Sequence, residues 1–449
     1  MKVIVLALAL PVALAAQQRT DSVSNPLGDT TSMRPADTTA RPISVDEAVR
    51  LAQQNSPLAI QARGEIQSSQ GQVKAAYAAF IPSVLLNAST SRQGGNRFDS
   101  QGNLVPFTGA SWQSSHGLSL DVDLFDGGSR IFNLRTYKAN VTAASANEVA
   151  QRFAVALAVK QQFYAVLAAR EAESAAQSQL NEANEQLKQS LAKIHAREAT
   201  KSDSLRAVIQ VGNARLALLT ARYDLDNANA SLTRLVGTSF SVTASPSDTL
   251  GFAFAEVDSA ALHALAQVGP SVLQAQASEV ATRAASKSAR APYLPTLTAS
   301  WNINGNGSMD SFSFTADRYA YQNQFRIGLS YPLFNQFQRE QGIVLADVAE
   351  RNAQATLRDT RLAAQQNFVQ YLGALRTGQA QVEINQTSVA AAEEDLRVQK
   401  QRYDFGASTL LDVLTSEAAL IQARSALIQA RYNYRVAKAQ LEALVGKDL

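Results

Sequence analysis

The chain contains no cysteine among its 449 residues, which excludes a disulfide framework and leaves no thiol to carry a lipid anchor. Its three histidines, His116, His195 and His263, lie far apart and have no acidic or cysteine neighbours at ligand spacing. No metal centre is expected from them. A Walker loop, a dinucleotide fingerprint and a nucleophile elbow are all missing. No catalytic residue and no cofactor are therefore expected, and the sequence does not read as an enzyme. Charge of one sign is also scarce, since 41 basic residues stand against 38 acidic ones. The pI near 9.0 thus reflects a small surplus rather than a basic patch, and nucleic acid is a poor candidate partner. Past the first residues, no apolar run approaches the ~18 that a transmembrane helix needs.

The N-terminus does carry a short apolar run. Lys2 precedes Val3 to Val12, and Ala13-Leu14-Ala15 follows with a small-x-small pattern. Residues 1–16 read as a secretory signal peptide, too short to span a bilayer as a helix. The mature chain is expected to be exported, unlipidated and free of membrane helices. Residues 17–43 are rich in Ser, Thr, Asp and Pro, and such a stretch buries too little surface to offset its ordering entropy. A flexible leader is expected there. It ends at Ser44-Val45-Asp46-Glu47, which has the spacing of a capping box.

From that point a train of motifs runs twice. Pro57 and Pro270 each stand 25 residues before Pro82 and Pro295, and Ala48, Gln61 and Ala76 recur as Ala261, Gln274 and Ala289, 213 positions on. Further along the register becomes 209. Ala221-Arg222-Tyr223 recurs as Ala430-Arg431-Tyr432, and Leu235-Val236-Gly237 as Leu444-Val445-Gly446. Each copy places a helical segment before a pair of alternating strands, then a very long helical stretch. The expected organisation is repeat 1 over 44–237, a linker or equatorial segment over 238–258, and repeat 2 over 259–446.

The strand pairs are expected at 83–91/115–125 and 296–304/324–334. Leu118, Leu120, Val122 and Leu124 alternate with Ser119, Asp121 and Asp123; Leu297, Ala299, Trp301 and Ile303 alternate with Thr298, Ser300, Asn302 and Asn304. Alternating strands of about 9–11 residues are the pattern of an outer-membrane barrel. An ordinary half-buried antiparallel sheet has the same alternation. The signal peptide and the acidic face of Asp121 and Asp123 favour a water-filled lumen. Residues 92–113 and 305–322, rich in Gly, Asn, Ser and aromatics, fit long external loops. Four strands are too few to close a barrel, which takes at least about eight. A barrel shared between subunits of a homo-oligomer follows.

Long helices are expected over 129–195, 203–236, 338–402 and 409–445. Residues 129–194 contain neither proline nor glycine, enough for a helix of about 100 Å. Leu187, Leu191 and Ile194 have a/d spacing, as do Leu411, Leu414, Ala418, Ile421, Ser425, Ile428 and Tyr432. A rod or coiled-coil adaptor would share these helices, and the attached strands disfavour it. The fold class is a mixed α and β membrane protein. It has four barrel strands and very long coiled-coil-like helices per chain in two structural repeats, with an oligomeric β-barrel continuing into an α-helical tunnel.

From about Ser44 to Gly446 the chain resembles the TolC family of outer-membrane efflux and secretion channels. The carrying segments are Asn55-Ser56-Pro57, Leu124-Phe125-Asp126-Gly127-Gly128, Tyr403-Asp404-Phe405-Gly406 through Asp412-Val413-Leu414, Ala430-Arg431-Tyr432-Asn433-Tyr434 and Leu444-Val445-Gly446. The resemblance implies a trimer with a twelve-stranded barrel and a twelve-helix tunnel, whereas strand counting alone also admits a dimeric eight-stranded barrel. It implies strand–helix junctions at Asp126, Gly127, Gly128 and Asn335. It implies tip turns at Ala196-Arg197-Glu198 and Phe405-Gly406-Ala407 that dock an adaptor's helical hairpin. Asp203, Tyr403 and Asp412 would gate the tip, with Asp203 bonding Tyr403 between helix pairs and Asp412 forming a carboxylate ring. The alternative for both aspartates is a helix N-cap or first-turn role. Ser408 and Thr415 stand where the family commonly has a basic residue and a second carboxylate, and Arg197 where it often has glycine.

The function expected is a passive exit duct in the outer membrane, extending into the periplasm. It would export small molecules with a periplasmic adaptor and an energised inner-membrane transporter. Type I protein secretion uses the same architecture, and a non-pore periplasmic coiled-coil protein is the alternative of another class.

Overall fold

A computed structural model describes residues 40–92, 94–106, 112–196, 200–245, 254, 258–309, 312 and 319–449. The expected signal peptide and most of the expected leader lie outside the described residues. The leader's last residues do not. Arg41–Ile43 forms strand β1, paired in parallel with a later strand at Val242–Ala244. Ile43 and Val242 are both fully buried, so 41–43 and part of 238–258 are structural, held in place by apolar burial.

Helix α1 (Val45–Asn55) starts at Ser44, whose hydroxyl accepts from the Glu47 N–H. Only half of the expected capping box forms, because the Glu47 carboxylate pairs with Arg41 instead. Pro57 opens α2 (Pro57–Ala78) at its first position, where a missing N–H is harmless. Strand β2 (Ser83–Arg92), a short hairpin of β3 (Asn96–Phe98) and β4 (Leu104–Pro106), and β5 (Trp112–Asp126) follow. The chain then runs into α3 (Ser129–His195), a helix of 67 residues, about 100 Å long. It returns along α4 (Lys201–Val236), which ends at Gly237 in the left-handed conformation. After β6 (Val242–Ala244) the plan repeats: α5 (Ser259–Ala266), α6 (Pro270–Ser288), β7 (Thr296–Met309), β8 (Ala320–Ser330), α7 (Gln338–Asp404) and α8 (Leu410–Val445).

Three expectations about the strands change. Both β5 and β7 extend into the stretches read as loops, and 92–113 carries a hairpin of its own. Strand β8 stops at Ser330, short of 334, where Pro332 has no N–H to continue a ladder. The four long strands form one antiparallel sheet in the order β2-β5-β7-β8. Its register sets Val84 beside Leu120, Leu120 beside Trp301 and Trp301 beside Phe325. One face is therefore an apolar row. The adjacent row, Ser83–Asp121–Ser300–Arg326, is polar on the opposite face.

The two largest apolar cores occupy equivalent positions in the two repeats. The first gathers Val155, Val159, Phe163, Val166, Leu232 and Val236 beneath α1. The second gathers Ala364, Phe368, Leu372, Leu375, Leu441 and Val445 beneath α5, each residue 209 positions from its counterpart. Volume is exchanged between neighbours: Val159 and Phe163 become Phe368 and Leu372.

The expected helix seams shift by one position. Leu411 is 57% exposed, whereas Leu410, Val413, Glu417 and Leu420 are buried. In α3 the buried stripe is Ala176, Ala183 and Ser190, and Leu191 is exposed. On its α7-facing side α8 sets Val413 and Leu420 against Leu396, and Arg424 pairs with Glu393 on α7. The stripe through Ile421, Ser425 and Ile428 faces a groove with α3 and α4 instead.

Candidate functional site

The second tip is built by the backbone of Arg402 to Asp412. Helix α7 ends in a left-handed Gly406, φ +72°. The Ala407 N–H reaches the Arg402 carbonyl at 2.8 Å and the Gly406 N–H reaches that of Tyr403 at 3.0 Å, the two bonds of a Schellman termination. Nothing lies within 4 Å of a Cβ added to Gly406, so glycine is required there by backbone angle rather than space. The turn leaves Phe405 87% exposed. Helix α8 then starts at Thr409 with a complete capping box. The Asp412 carboxylate accepts from the Thr409 N–H at 2.9 Å, and Thr409 Oγ1 accepts from the Asp412 N–H at 3.3 Å.

Asp412 also accepts from the hydroxyls of Thr409 at 2.7 Å and Ser408 at 3.0 Å. The Thr409 N–H and hydroxyl, with help from Ser408 and the Arg402 charge, hold its carboxyl below the usual carboxylate range. Ser408 thus supplies a hydrogen bond to this carboxylate, and the nearby positive charge comes from Arg402 on the other helix.

The first tip follows the same plan where it is described. Helix α3 ends at Ala196, and Arg197 and Glu198 lie outside the described residues. Thr200 caps α4 and forms a capping box with Asp203, whose carboxylate accepts from the Thr200 N–H at 3.0 Å and its hydroxyl at 2.8 Å. Both aspartates therefore hold first-turn positions. Asp203 and Tyr403 share no hydrogen bond within the chain. Tyr403 instead lies under Lys193, whose Nζ is 4.0 Å from the ring centroid and 3.2 Å from Asp404. Lys193 ties the end of α3 to the end of α7, a role no local pattern announced. The Thr200-x-x-Asp203 and Thr409-x-x-Asp412 spacings were readable as capping boxes.

At the strand–helix junctions the repeats differ. Asp126 accepts from the Gly128 N–H at 3.1 Å and the Arg130 N–H at 2.8 Å, which satisfies donors at the start of α3. Gly127 and Gly128 have φ of +68° and +82°. In the second repeat, Asn335 receives the Gln338 N–H on its backbone carbonyl, and Gln336 and Phe337 occupy the left-handed region at φ +59° and +60°.

No helix among the described residues is long and apolar enough to cross a membrane. The sheet presents one apolar face. Its apolar row, including Val84, Leu86, Phe325, Ile327 and Leu329, is exposed. Above this row His116, Tyr319 and Tyr321 form an aromatic cluster, with the His116 ring nitrogen 3.1 Å from the Tyr321 hydroxyl. Aromatics flanking an apolar band are typical of outer-membrane strands.

A membrane-facing sheet continued by two pairs of long helices defines an outer-membrane channel protein. The chain belongs to the outer membrane efflux protein family, whose model matches residues 48–238 and 261–447, and it is an outer-membrane exit duct of the TolC type. It is 24% identical to the outer membrane protein TolC of Vibrio cholerae, over 89% of this chain and 90% of that protein. It is also 24% identical to the pyoverdine export outer membrane protein OpmQ of Pseudomonas putida, over 85% and 81%. Among solved structures, the outer membrane protein VceC of Vibrio cholerae shares the fold with a TM-score of 0.71 and 18% identity, over 90% and 96% of the two chains.

Proposed function

We propose that three copies of this chain close into one duct, a passive conduit for small molecules driven by an adaptor and an inner-membrane transporter. The observation that carries this reading is a pair of matching open flanks. The sheet leaves β2 and β8 as edges. Among the long helices, α3 packs on α4 and α8, and α7 on α8, so α4 and α7 lie on the flanks. Both bear exposed apolar residues, Leu205, Ile209, Leu216 and Leu219 on α4 and Val348, Leu362 and Val369 on α7. Unpaired edges and apolar stripes of this extent call for a partner. A second copy offers β2 to β8 and α4 to α7 at once. Ring closure by three copies gives twelve strands, within the range of known single barrels.

In that ring the exposed Phe405, Gly406 and Ala407, with Ala196, Arg197 and Glu198 of the other turn, are the docking surface for an adaptor hairpin. Asp412 from each copy forms an acidic ring that favours cations. Asp203 and Tyr403, unpartnered with each other in one chain, meet across the copies and hold the tip closed. The pyoverdine-exporting relative supports small-molecule cargo. The test is conductance in planar bilayers. Asp203→Ala with Tyr403→Phe is expected to raise single-channel conductance, and Asp412→Asn to relieve block by divalent cations applied from the tip side. Unchanged conductance would remove the latch, and unchanged block would remove the ring.

A further inference from the structure

The α8 seam contains a buried carboxylate that the duct reading does not use. Glu417 is 3% exposed, and its Oε1 is buried with no hydrogen-bond partner. A bare carboxylate oxygen away from water is strongly unfavourable unless a cation or donor meets it. Gln210 on α4 gives the group one side-chain hydrogen bond, Lys400 on α7 acts on it favourably at a distance, and Glu182 on α3 opposes it. Loss of solvent, then the Glu182 charge, push the Glu417 carboxyl above the usual range.

Two cavities meet at this pair. One, of about 770 Å³, runs along the seam of α3, α4 and α8. The other, of about 320 Å³, lies towards the tip between α3, α7 and α8, and Glu182 and Glu417 line both. The larger has an alanine floor, including Ala172 and Ala176, and apolar walls from Leu216, Leu420 and Ile428. Its basic residue, Arg424, is engaged by Glu393 at 2.8 Å. The volume falls in the range of small-molecule sites, which combine apolar walls with a few placed polar groups.

We propose that this groove binds an amphipathic organic amine, its ammonium between Glu417 and Glu182 and its apolar body along the alanine floor. A bound inorganic cation fits less well. No group of three or more His, Cys, Asp or Glu side chains able to hold a metal occurs among the described residues, and two carboxylates make a poor cage for a hard cation. The site lies within one chain and is separate from the Asp412 aperture.

The test is fluorescence titration of the detergent-solubilised full-length protein with dansylcadaverine, an ammonium on an alkyl-aromatic body. The N-pentyl dansylamide that lacks the amine serves as the neutral control. Saturable binding is expected for the amine and not for the neutral analogue. Glu417→Gln is expected to weaken it by about tenfold or more, Glu182→Gln by less, and Ala217→Trp, which fills the exposed side of the groove, to abolish it. Equal binding by the neutral analogue would overturn the proposal, as would undiminished binding by a folded Glu417→Gln protein or by Ala217→Trp. Displacement of the dye by millimolar Mg²⁺ in the native protein alone would replace it with an inorganic-cation site. The assay uses no membrane, so its failure leaves the duct reading standing, and a protein that conducts nothing still tests the groove.

Discussion

The two repeats turn from strand to helix with the same backbone and different residues. In the first, Gly127 and Gly128 take positive φ freely, and a Cβ on Gly127 would come within 2.5 Å of the Ala291 carbonyl oxygen. In the second, Gln336 and Phe337 adopt nearly the same angles with side chains attached. Left-handed geometry disfavours such residues by about 1–2 kcal/mol each. The surroundings therefore compensate. Phe337 packs edge-to-face on Phe334 at 5.5 Å, and Arg339 donates to the carbonyls of Pro332 and Leu333. Duplication thus preserved a backbone path rather than a residue list, and each copy found its own way to hold it.

The cores make the same point. The apolar volume beneath α1 and α5 is shared between neighbouring positions in opposite order, Val159 with Phe163 against Phe368 with Leu372. Total volume, rather than residue identity, satisfies close packing.

The largest expected effect breaks this equivalence at the core. Phe163→Ala and Phe368→Ala should each destabilise the chain by about 3–5 kcal/mol. Importing the second repeat's arrangement, Val159→Phe with Phe163→Leu, should cost less than Phe163→Ala alone, as read by denaturant titration in detergent. If the paired change were the worse, the two cores would not be interchangeable. Next in size is the junction. Gly127→Ala should lose at least about 1–2 kcal/mol to its backbone angle, and more to the Ala291 carbonyl, whereas Gln336→Gly should be neutral or stabilising in thermal melts. Matching losses at both sites would mean that the second junction is no more strained than the first.

The caps follow. Thr200→Ala and Thr409→Ala should each lower stability by about 1 kcal/mol, and a large difference between them would show that the two tips do not fold alike. The smallest effect is a pH dependence at Asp412. Its folded carboxyl titrates below the ordinary value because of Thr409 and Ser408. The stability it contributes is present above the unfolded carboxylate range and is lost as pH falls through that range towards the folded value. The melting difference between native protein and Asp412→Asn should shrink on acidification from pH 7. A difference that stays constant would detach the shift from the cap.

Much of the plan was legible because strong local signals mark it. Proline at Pro57 and Pro270, glycine at Gly237 and Gly446, and the long stretch without either fix where helices begin and end. Period-two alternation set the faces of β5 and β7. The interior of the helical seams was not legible. The register of α8 with a/d spacing, through Leu411, Ile421 and Ile428, was the expected seam, yet the buried stripe runs one residue earlier and takes in Glu417 and Leu420. A hydrophobic pattern reports how much a stripe gains from burial, not which neighbour buries it.

The sequence by itself determined the duplication, the order of elements and the strand faces, since these rest on backbone propensities and on periods of 2 and 3.6 residues. Tertiary structure alone decided that 41–43 joins 242–244 in a sheet and that Gln336 and Phe337 adopt a glycine's conformation. It alone set Lys193 over Tyr403 and left one oxygen of the buried Glu417 without a hydrogen-bond partner beside a cavity. Each of those depends on residues brought together from distant parts of the chain, where the free energy of a side chain is set by neighbours that no local window contains.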